Sequence, residues 1–318
     1  MANSTTLTAG IDTAKDKLDI AVHGQTHTFN VENRRPGWKI LAAELSKAGV
    51  HDVGIEATGG YERGVTRYLQ AQGFTVLVLQ PLQVKAYARI HLRRAKNDRI
   101  DAMLIAACTA AIDPPGVEPD PRLDALVDQL TFIEQAEEDI ARCKTRLEHI
   151  HDARLRRCAT ADIARLEKRR ATELRRIETA LRAHADLAKR FDLVLSIPGI
   201  GARTAIALVL RMPELGKISR EQAAALAGLA PFDDDSGKHS GVRHIAGGRG
   251  RLRRSLYAAA LPASFRWNPA LKALYARLIK AGKSHKTALV ACARKLLIFA
   301  NTVVARGTPW ENRAAIPA

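Results

Sequence analysis

Cysteine is scarce in this 318-residue chain, and its placement excludes two kinds of site. The four cysteines, Cys108, Cys143, Cys158 and Cys292, lie far apart and form no CxxC pair. Neither a disulfide framework nor a cysteine-based zinc site is therefore expected. A reducing cytoplasm suits a chain of this kind.

Long apolar runs are also missing. The stretch "MANSTTLTAGIDTAKDK" contains no hydrophobic signal core, and the apolar stretch "TALVACARKLLIFA" is interrupted by Arg294 and Lys295. A transmembrane helix needs roughly 20 predominantly apolar residues. We therefore expect no membrane span and a cytoplasmic protein.

Acidic residues are few in the last part of the chain. The whole chain has a net charge of +17. Residues 1–110 contain 14 Lys or Arg and 10 Asp or Glu, residues 111–190 contain 16 of each, and residues 191–318 contain 20 and 7. This distribution predicts a polyanionic partner for the C-terminal part, most simply nucleic acid. A generic solubility charge is the alternative.

The first 110 residues alternate between predicted strands and helices. Strands are expected at 6–12, 18–22, 27–31, 52–57 and 74–80, and helices at 36–48 and 61–72. This order predicts an α/β sheet with helices on its faces.

Residues 111–122 are predicted to be a linker, because a segment with four prolines cannot continue a helix. The remainder of the chain is predicted to be mainly helical. Apolar residues at 3/4 spacing predict a helical hairpin or coiled coil at 123–190, acting as spacer and oligomerisation element. Packing of both helices on their own domain is the alternative. A helix–glycine turn–helix motif begins at 191, 231–250 is irregular, and further helices are expected at 251–264, 269–281 and 284–306.

Four carboxylates in the first 110 residues have a pattern typical of a metal site. Asp12 ends the first strand, Glu56 lies in the apolar strand "VGIEA", and Asp98 and Asp101 share a helix face. Taken singly, Asp12 and Glu56 could equally be satisfied structural acids, and most pairs spaced like Asp98 and Asp101 are solvated surface acids. Clustered carboxylates repel one another unless divalent cations lie between them; Mg²⁺, or Mn²⁺ in its place, suits such ligands. Two ions about 4 Å apart clamp both reacting oxygens of a phosphodiester.

Basic residues adjoin these acids and recur near the C-terminus. The segment before Asp98 contains Arg93, Arg94 and Lys96, which we expect to hold a nucleic-acid backbone. In "SIPGIGARTA", which has the turn of a helix-hairpin-helix, Gly199 and Gly201 would let backbone N–H groups contact phosphate.

The stretch 230–257 combines glycines with cations and a serine. Its expected nucleic-acid ligands are Lys238, Arg243, Arg249, Arg251, Arg253 and Arg254. One interpretation is a flexible basic loop that leads into an amphipathic helix. The other is a mobile loop that presents a hydroxyl to a phosphate held by arginines.

These motifs resemble those of the DEDD-type insertion-sequence transposases, a family related to the Piv DNA invertase that includes the bridge-RNA-guided recombinases. Asp12, Glu56 and the acid pair in "KNDRIDA" match the acidic signature. "SIPGIGARTA", "LAGLAPFDDDSGKHSG", "RHIAGGRGRLRRSLY" and "NPALKALYARLIKAGKSHKTALVACARKLL" match the C-terminal half in the expected order. The resemblance covers nearly the whole chain; only 111–190 lacks a distinctive motif.

The resemblance implies an RNase H-like domain at 1–110, similar to Holliday-junction resolvases, a coiled-coil middle at 123–190, and a basic, mainly α-helical transposase domain at 191–318. It implies a serine nucleophile, which by motif position is Ser236, with Ser240 as the alternative. It further implies donor and target DNA and a structured guide RNA. The heptad-like spacing and the need for several active sites in strand exchange predict a homo-oligomer, a dimer at least and a tetramer as the larger alternative. The expected location is the nucleoid of a bacterial cytoplasm.

The residues by themselves are also compatible with two other functions. A structure-specific endonuclease would hydrolyse DNA with the same acids and without a serine. A non-catalytic scaffold would bind RNA or DNA and cleave neither. The products separate the three: covalent protein–DNA adducts, free nicks, or no cleavage.

Overall fold

The computed structural model describes residues 7–91, 98–112, 120–232 and 244–311, apart from the side chains of residues 98, 99 and 232. The chain divides into two compact units, Met1–Glu118 and Pro119–Ala318. Each unit buries apolar side chains of its own, so each has an independent core.

The first unit is built on a five-stranded mixed sheet with the order β3-β2-β1-β4-β5. Its strands are β1 (Leu7–Thr13), β2 (Lys17–Val22), β3 (Thr28–Glu32), β4 (Val50–Glu56) and β5 (Thr75–Leu79). Its helices are α1 (Arg35–Lys47), α2 (Glu62–Ala71), α3 (Pro81–Ile90) and α4 (Asp98–Ala110). The first three strands are antiparallel, whereas β4 and β5 are parallel to β1. The predicted α/β sheet is confirmed at this level.

Helix α3 was not expected from the sequence. Pro81 ends the preceding strand, but proline also suits the first helical position, where no N–H partner is needed. A capping box completes this start, because the Gln80 backbone N–H donates to Gln83 Oε1 at 2.8 Å.

The second unit is mainly helical. Its helices are α5 (Pro121–Glu148), α6 (Ala153–Arg182), α7 (Ala185–Leu195), α8 (Ala202–Arg211), α9 (Arg220–Leu226), α10 (Gly250–Pro262), α11 (Pro269–Lys280) and α12 (His285–Arg306). A π-helical segment, Ala263–Trp267, joins α10 to α11. Two short antiparallel strands, β6 (Pro231–Phe232) and β7 (His244–Ile245), complete the described elements.

Helices α5 and α6 form an antiparallel hairpin, and they share one core with the helices that follow. Ile133 of α5 and Ile177 of α6 are fully buried in the same cluster as Phe191 and Leu296. The hairpin is therefore integrated into the second unit at its base.

Helix α12 is long and apolar enough to cross a membrane by length and composition, the one such helix in the described part of the chain. Half of its most apolar stretch is buried inside the second unit. Cys292, Leu296 and Ala300 have no exposed surface because they face this core. Core packing therefore accounts for the apolar composition of α12.

Candidate active site

The sheet places two of the predicted acids side by side. In the parallel pair β1–β4, Gly10 aligns with Gly54 and Ile11 with Ile55. Asp12 and Glu56 therefore follow at the carboxyl ends of neighbouring strands, which are about 4.8 Å apart. Because side chains alternate along a strand, both carboxylates lie on the face opposite the fully buried Ile11 and Ile55.

Helix α4 crosses the face that carries these acids. A Cβ atom at Gly10 would lie 2.2 Å from the backbone N of Ala106 and 2.3 Å from the carbonyl oxygen of Ala102. A Cβ at Gly54 would lie 1.7 Å from Thr109 Oγ1. Only glycine at these two strand positions lets the helix approach so closely.

The direction of α4 brings its first turn toward the strand ends. Thr8 Oγ1 donates to the carbonyl of Ala106 at 3.4 Å, while Gly10 also contacts Ala102, one turn earlier in the helix. The helix therefore runs antiparallel to β1. The next strand position on the face that α4 covers is Asp12, which is directed toward the turn that contains Asp98 and Asp101.

The four predicted ligands are all carboxylates. Their chemistry fits a divalent cation, because carboxylate oxygens are the ligands that hard divalent cations prefer. Asp12, Glu56 and Asp101 are half-buried, and each has an interaction partner within the chain. Among the described side chains, no group of three acids, histidines or cysteines is close enough to hold a metal ion. The side chain of Asp98 lies outside the described residues.

Two residues that the sequence interpretation missed hold the loops beside these acids. Asn33 Nδ2 donates to the carbonyls of Ala14 at 2.8 Å and Tyr61 at 3.1 Å, so it bridges the segments that follow β1 and β4. The buried carboxylate of Glu62 accepts from the backbone N–H groups of Thr58 at 3.1 Å and Gly60 at 2.8 Å. Their roles depend on long-range contacts, which the local pattern does not reveal.

Several predicted site residues lie outside the described residues. They are Arg93, Arg94, Lys96, Ser236, Ser240, Lys238 and Arg243.

The four other predicted nucleic-acid-binding arginines have partners within the second unit. Arg249 donates to both carboxylate oxygens of Glu214, at 2.8 and 2.6 Å. The remaining contacts are Arg251 with Glu134 at 3.0 Å, Arg254 with Glu138, and Arg253 with the carbonyls of Gly228 at 3.2 Å and Gly247 at 2.6 Å. These arginines therefore tie α10 to α5 and to adjacent loops, and their contact with nucleic acid stays a prediction.

The two glycines of the helix-hairpin-helix turn differ in their surroundings. Gly199 has a φ of +99°, and a Cβ there would lie 2.3 Å from the Cβ of Ala263. Gly201 caps α8 with a φ of −89° and has open space around it. Gly199 is thus required for packing, whereas Gly201 leaves backbone accessible.

Two transposase family models and two curated relatives match this chain. Residues 9–160 match a transposase family model of the DEDD type, and residues 191–276 match the model "Transposase IS116/IS110/IS902 family". The chain is 28% identical to the pilin gene-inverting protein of Moraxella bovis and 29% identical to that of Moraxella lacunata, with 96% of this chain and 97% of each relative covered.

Two more distant similarities cover less. An uncharacterised 43.6 kDa protein of insertion element IS110 from Streptomyces coelicolor is 32% identical over 46% of this chain and 35% of that protein. The T. thermophilus RuvC chain, solved in complex with a Holliday junction substrate, is 16% identical, with 32% of this chain and 91% of that chain covered and a TM-score of 0.28.

Both matched models and the pilin gene-inverting relatives define the class of protein: the chain is an enzyme, a DNA transposase or recombinase, whose substrate is DNA. It belongs to the IS116/IS110/IS902 family of insertion-sequence transposases, so the predicted resemblance is confirmed. Membership of a DEDD-type family implies dependence on a divalent metal in general.

Proposed function

We propose that this transposase cuts and rejoins DNA through a covalent phosphoserine intermediate at Ser236. Asp12, Glu56, Asp98 and Asp101 would hold Mg²⁺. The observation that supports this most directly is the β1–β4 register, which sets Asp12 beside Glu56 on the face crossed by α4. Four carboxylates at the ends of two strands and one helix turn would otherwise repel one another.

The chemistry of a serine explains why strands can be rejoined. The Ser236 oxygen forms a bond to phosphorus, the bond from phosphorus to one DNA oxygen breaks, and the seryl proton passes through a base to the departing DNA hydroxyl. The resulting ester keeps the bond energy, so a second DNA hydroxyl can attack it and release the serine. A divalent cation bound by the acids would stabilise negative charge on the phosphate during both steps.

The remaining family features complete the proposal. The sheet order β3-β2-β1-β4-β5 supports an RNase H-like domain in the first unit. The basic residues of 191–318 support contact with donor and target DNA and with a structured guide RNA. A homo-oligomer, at least a dimer, would bring several active sites to the two exchanging duplexes.

Substitution of Glu56 tests the metal site. Glu56→Gln removes a ligand charge but keeps the side-chain shape, so it should abolish DNA cleavage in Mg²⁺ and leave DNA affinity within about two-fold, because phosphate contacts dominate binding. Asp52→Asn is the matched control, since Asp52 lies on the same strand, four residues before Glu56. Full cleavage by the Glu56 variant, or equal loss in both variants, would contradict the assignment.

Product analysis tests the nucleophile separately. Wild-type protein incubated with labelled DNA should yield a covalent protein–DNA adduct that maps to residue 236, and Ser236→Ala should yield none while it still binds DNA. Ser240→Ala should retain the adduct. Free nicks without an adduct would favour a hydrolytic endonuclease, and absence of any cleavage by the wild type would favour a scaffold.

A further inference from the structure

An exposed cluster of rings lies on the second unit, and none of its three residues is among the ligands predicted from the sequence. It comprises Phe265 of the π-helical segment, Tyr275 of α11 and His285 at the start of α12, and is called here the ring cluster. Phe265 is 45% exposed, and its ring centroid lies 4.9 Å from Tyr275 and 6.4 Å from His285. The Tyr275 hydroxyl and His285 Nδ1 are hydrogen-bonded at 2.7 Å, which fixes the two polar rings around Phe265.

The sequence around the ring cluster contains basic residues and no acidic ones. Residues 236–310 contain no Asp or Glu. Six exposed cations flank the rings between 262 and 286: Arg266, Lys272, Arg277, Lys280, Lys283 and Lys286. In the described part of the chain none of the six has an ion pair, whereas Arg251 and Arg254 are paired with acids of α5.

The ring cluster rests on a rigid base. Ala263, at the start of the π-helical segment, is packed against Gly199. Asn268, which is 2% exposed, donates to the carbonyl of Pro198 at 3.1 Å and accepts from the backbone N–H of Leu271 at 3.2 Å. A π-helical segment is rare and frequently marks a functional site. The glycine hairpin therefore holds Phe265 in place before any ligand binds.

We propose that the ring cluster stacks an unpaired base of single-stranded DNA while the flanking cations contact its phosphates. Exposed aromatic rings within a cationic surface are the combination that binds single strands. Bases of an intact duplex are already stacked and do not offer their faces. We choose DNA because the chain is a DNA transposase, and strand exchange exposes unpaired nucleotides. The proposal depends on that substrate class and not on Ser236 or the metal.

The test measures binding of full-length protein to a labelled oligothymidylate, in EDTA so that no cleavage occurs. Phe265→Ala should weaken binding by roughly 5- to 100-fold, the effect of losing one stacked base. Leu261→Ala is the matched control, because Leu261 lies one turn earlier and is 43% exposed. This substitution also removes an exposed apolar side chain, but not a ring, and the variant should bind like wild type. Phe265→Trp should retain affinity because it keeps a ring. Replacing Lys283 and Lys286 by alanine should lower the log–log salt slope by about 1.4.

Four results would overturn the proposal. They are equal affinities for the Phe265→Ala and Leu261→Ala variants, an equal loss on duplex DNA, a loss confined to single-stranded RNA, and a loss of self-association by light scattering with DNA affinity unchanged. Phe265→Leu keeps apolar volume without a ring, so it provides the same comparison if the alanine variant does not fold. Cleavage by Glu56→Gln is scored separately, so failure here is distinguishable from failure of the metal site.

Discussion

At the scale of single residues, Glu134 connects three elements of the second unit. Its carboxylate is 5% exposed and accepts from Arg211 Nε at 3.1 Å, Arg251 Nη1 at 3.0 Å and Arg203 Nη2 at 3.5 Å. These arginines come from α8 and α10, whereas Glu134 belongs to α5. One buried acid thus offsets several partly buried guanidinium groups.

Glu134→Gln should therefore destabilise the protein more than a surface substitution does. Loss of the charge leaves the Arg211 and Arg251 guanidinium groups without their acid, whereas Arg203 keeps Glu137 at 2.9 Å. We expect the free energy of unfolding to fall by about 2–4 kcal/mol. Urea unfolding followed by circular dichroism measures this. Glu138→Gln, which breaks the more exposed pair with Arg254, should have a much smaller effect. Similar losses in the two variants would mean that water already screens the Glu134 contacts.

The pair of Glu214 with Arg249 makes stability depend on acidity. Burial raises the pKa of Glu214, but the hydrogen bonds and charge of Arg249 outweigh it, so the net pKa is lowered. A carboxyl whose folded-state pKa lies below its unfolded value, near 4.3, stabilises the fold above that pH. This contribution is lost as the pH falls through the lowered pKa.

Glu214→Gln should accordingly flatten the acid side of the stability profile. Between pH 6 and pH 3, the wild type should lose more free energy of unfolding than the variant. The wild type should be the more stable protein above about pH 4.3, and this advantage should shrink as the pH falls below that value. Urea titrations at several pH values measure both profiles. Parallel profiles would show that this pair does not contribute to the acid sensitivity.

At the scale of elements, the hairpin between α7 and α8 contains two glycines with separate tasks. Gly199 has a left-handed backbone and contacts Ala263, whereas Gly201 has an ordinary backbone in open space. The sequence motif presents them as equivalent. The structure distinguishes them because only Gly199 lies against another element.

Alanine at the two positions should have very different effects on the stability of the fold. Gly199→Ala forces both a strained backbone and a clash, so the free energy of unfolding should fall by about 2–4 kcal/mol. Gly201→Ala should change it by less than about 1 kcal/mol. Thermal melts of the two variants test this; a harmless Gly199→Ala would refute the packing role.

At the scale of the whole molecule, the cores indicate which parts of the chain fold together. The first unit buries its own sheet, and the second unit packs α5 and α6 into the same core as α7 to α12. Leu130, Ile133, Ile177 and Leu181 of the hairpin have no exposed surface. Removal of the hairpin would expose their partners.

Fragments of the chain test this organisation. A fragment of residues 119–318 should fold with a cooperative melt, whereas a fragment of residues 191–318, the C-terminal domain predicted from sequence, should be unstable or aggregate because it lacks part of its core. Circular dichroism and light scattering distinguish the outcomes. A cooperatively folded 191–318 fragment would show that the hairpin is dispensable for the core.

The sequence by itself determined the mixed strand and helix pattern of the first unit, the helical character of the rest and the family. Apolar periodicity is local, so it predicted the strands β1 and β4 and put Asp12 and Glu56 near strand ends, while the role of the acids and the hairpin domain at 123–190 stay predictions. It did not show α3, because Pro81 fits a strand end and a helix start equally well. Ser236 and the segment around Arg93 stay predictions.

Only the tertiary structure decided which distant residues meet. Arg251 and Glu134 are 117 positions apart, and nothing in either local pattern shows that they pair. The same holds for Asn33 between two loops and for Phe265 beside Tyr275 and His285. The physical reason is that periodicity encodes which face of an element is buried, whereas the partner on that face depends on how complete elements pack. Charge counted along the chain therefore predicted a nucleic-acid partner, while the fold assigned four of those arginines intramolecular partners.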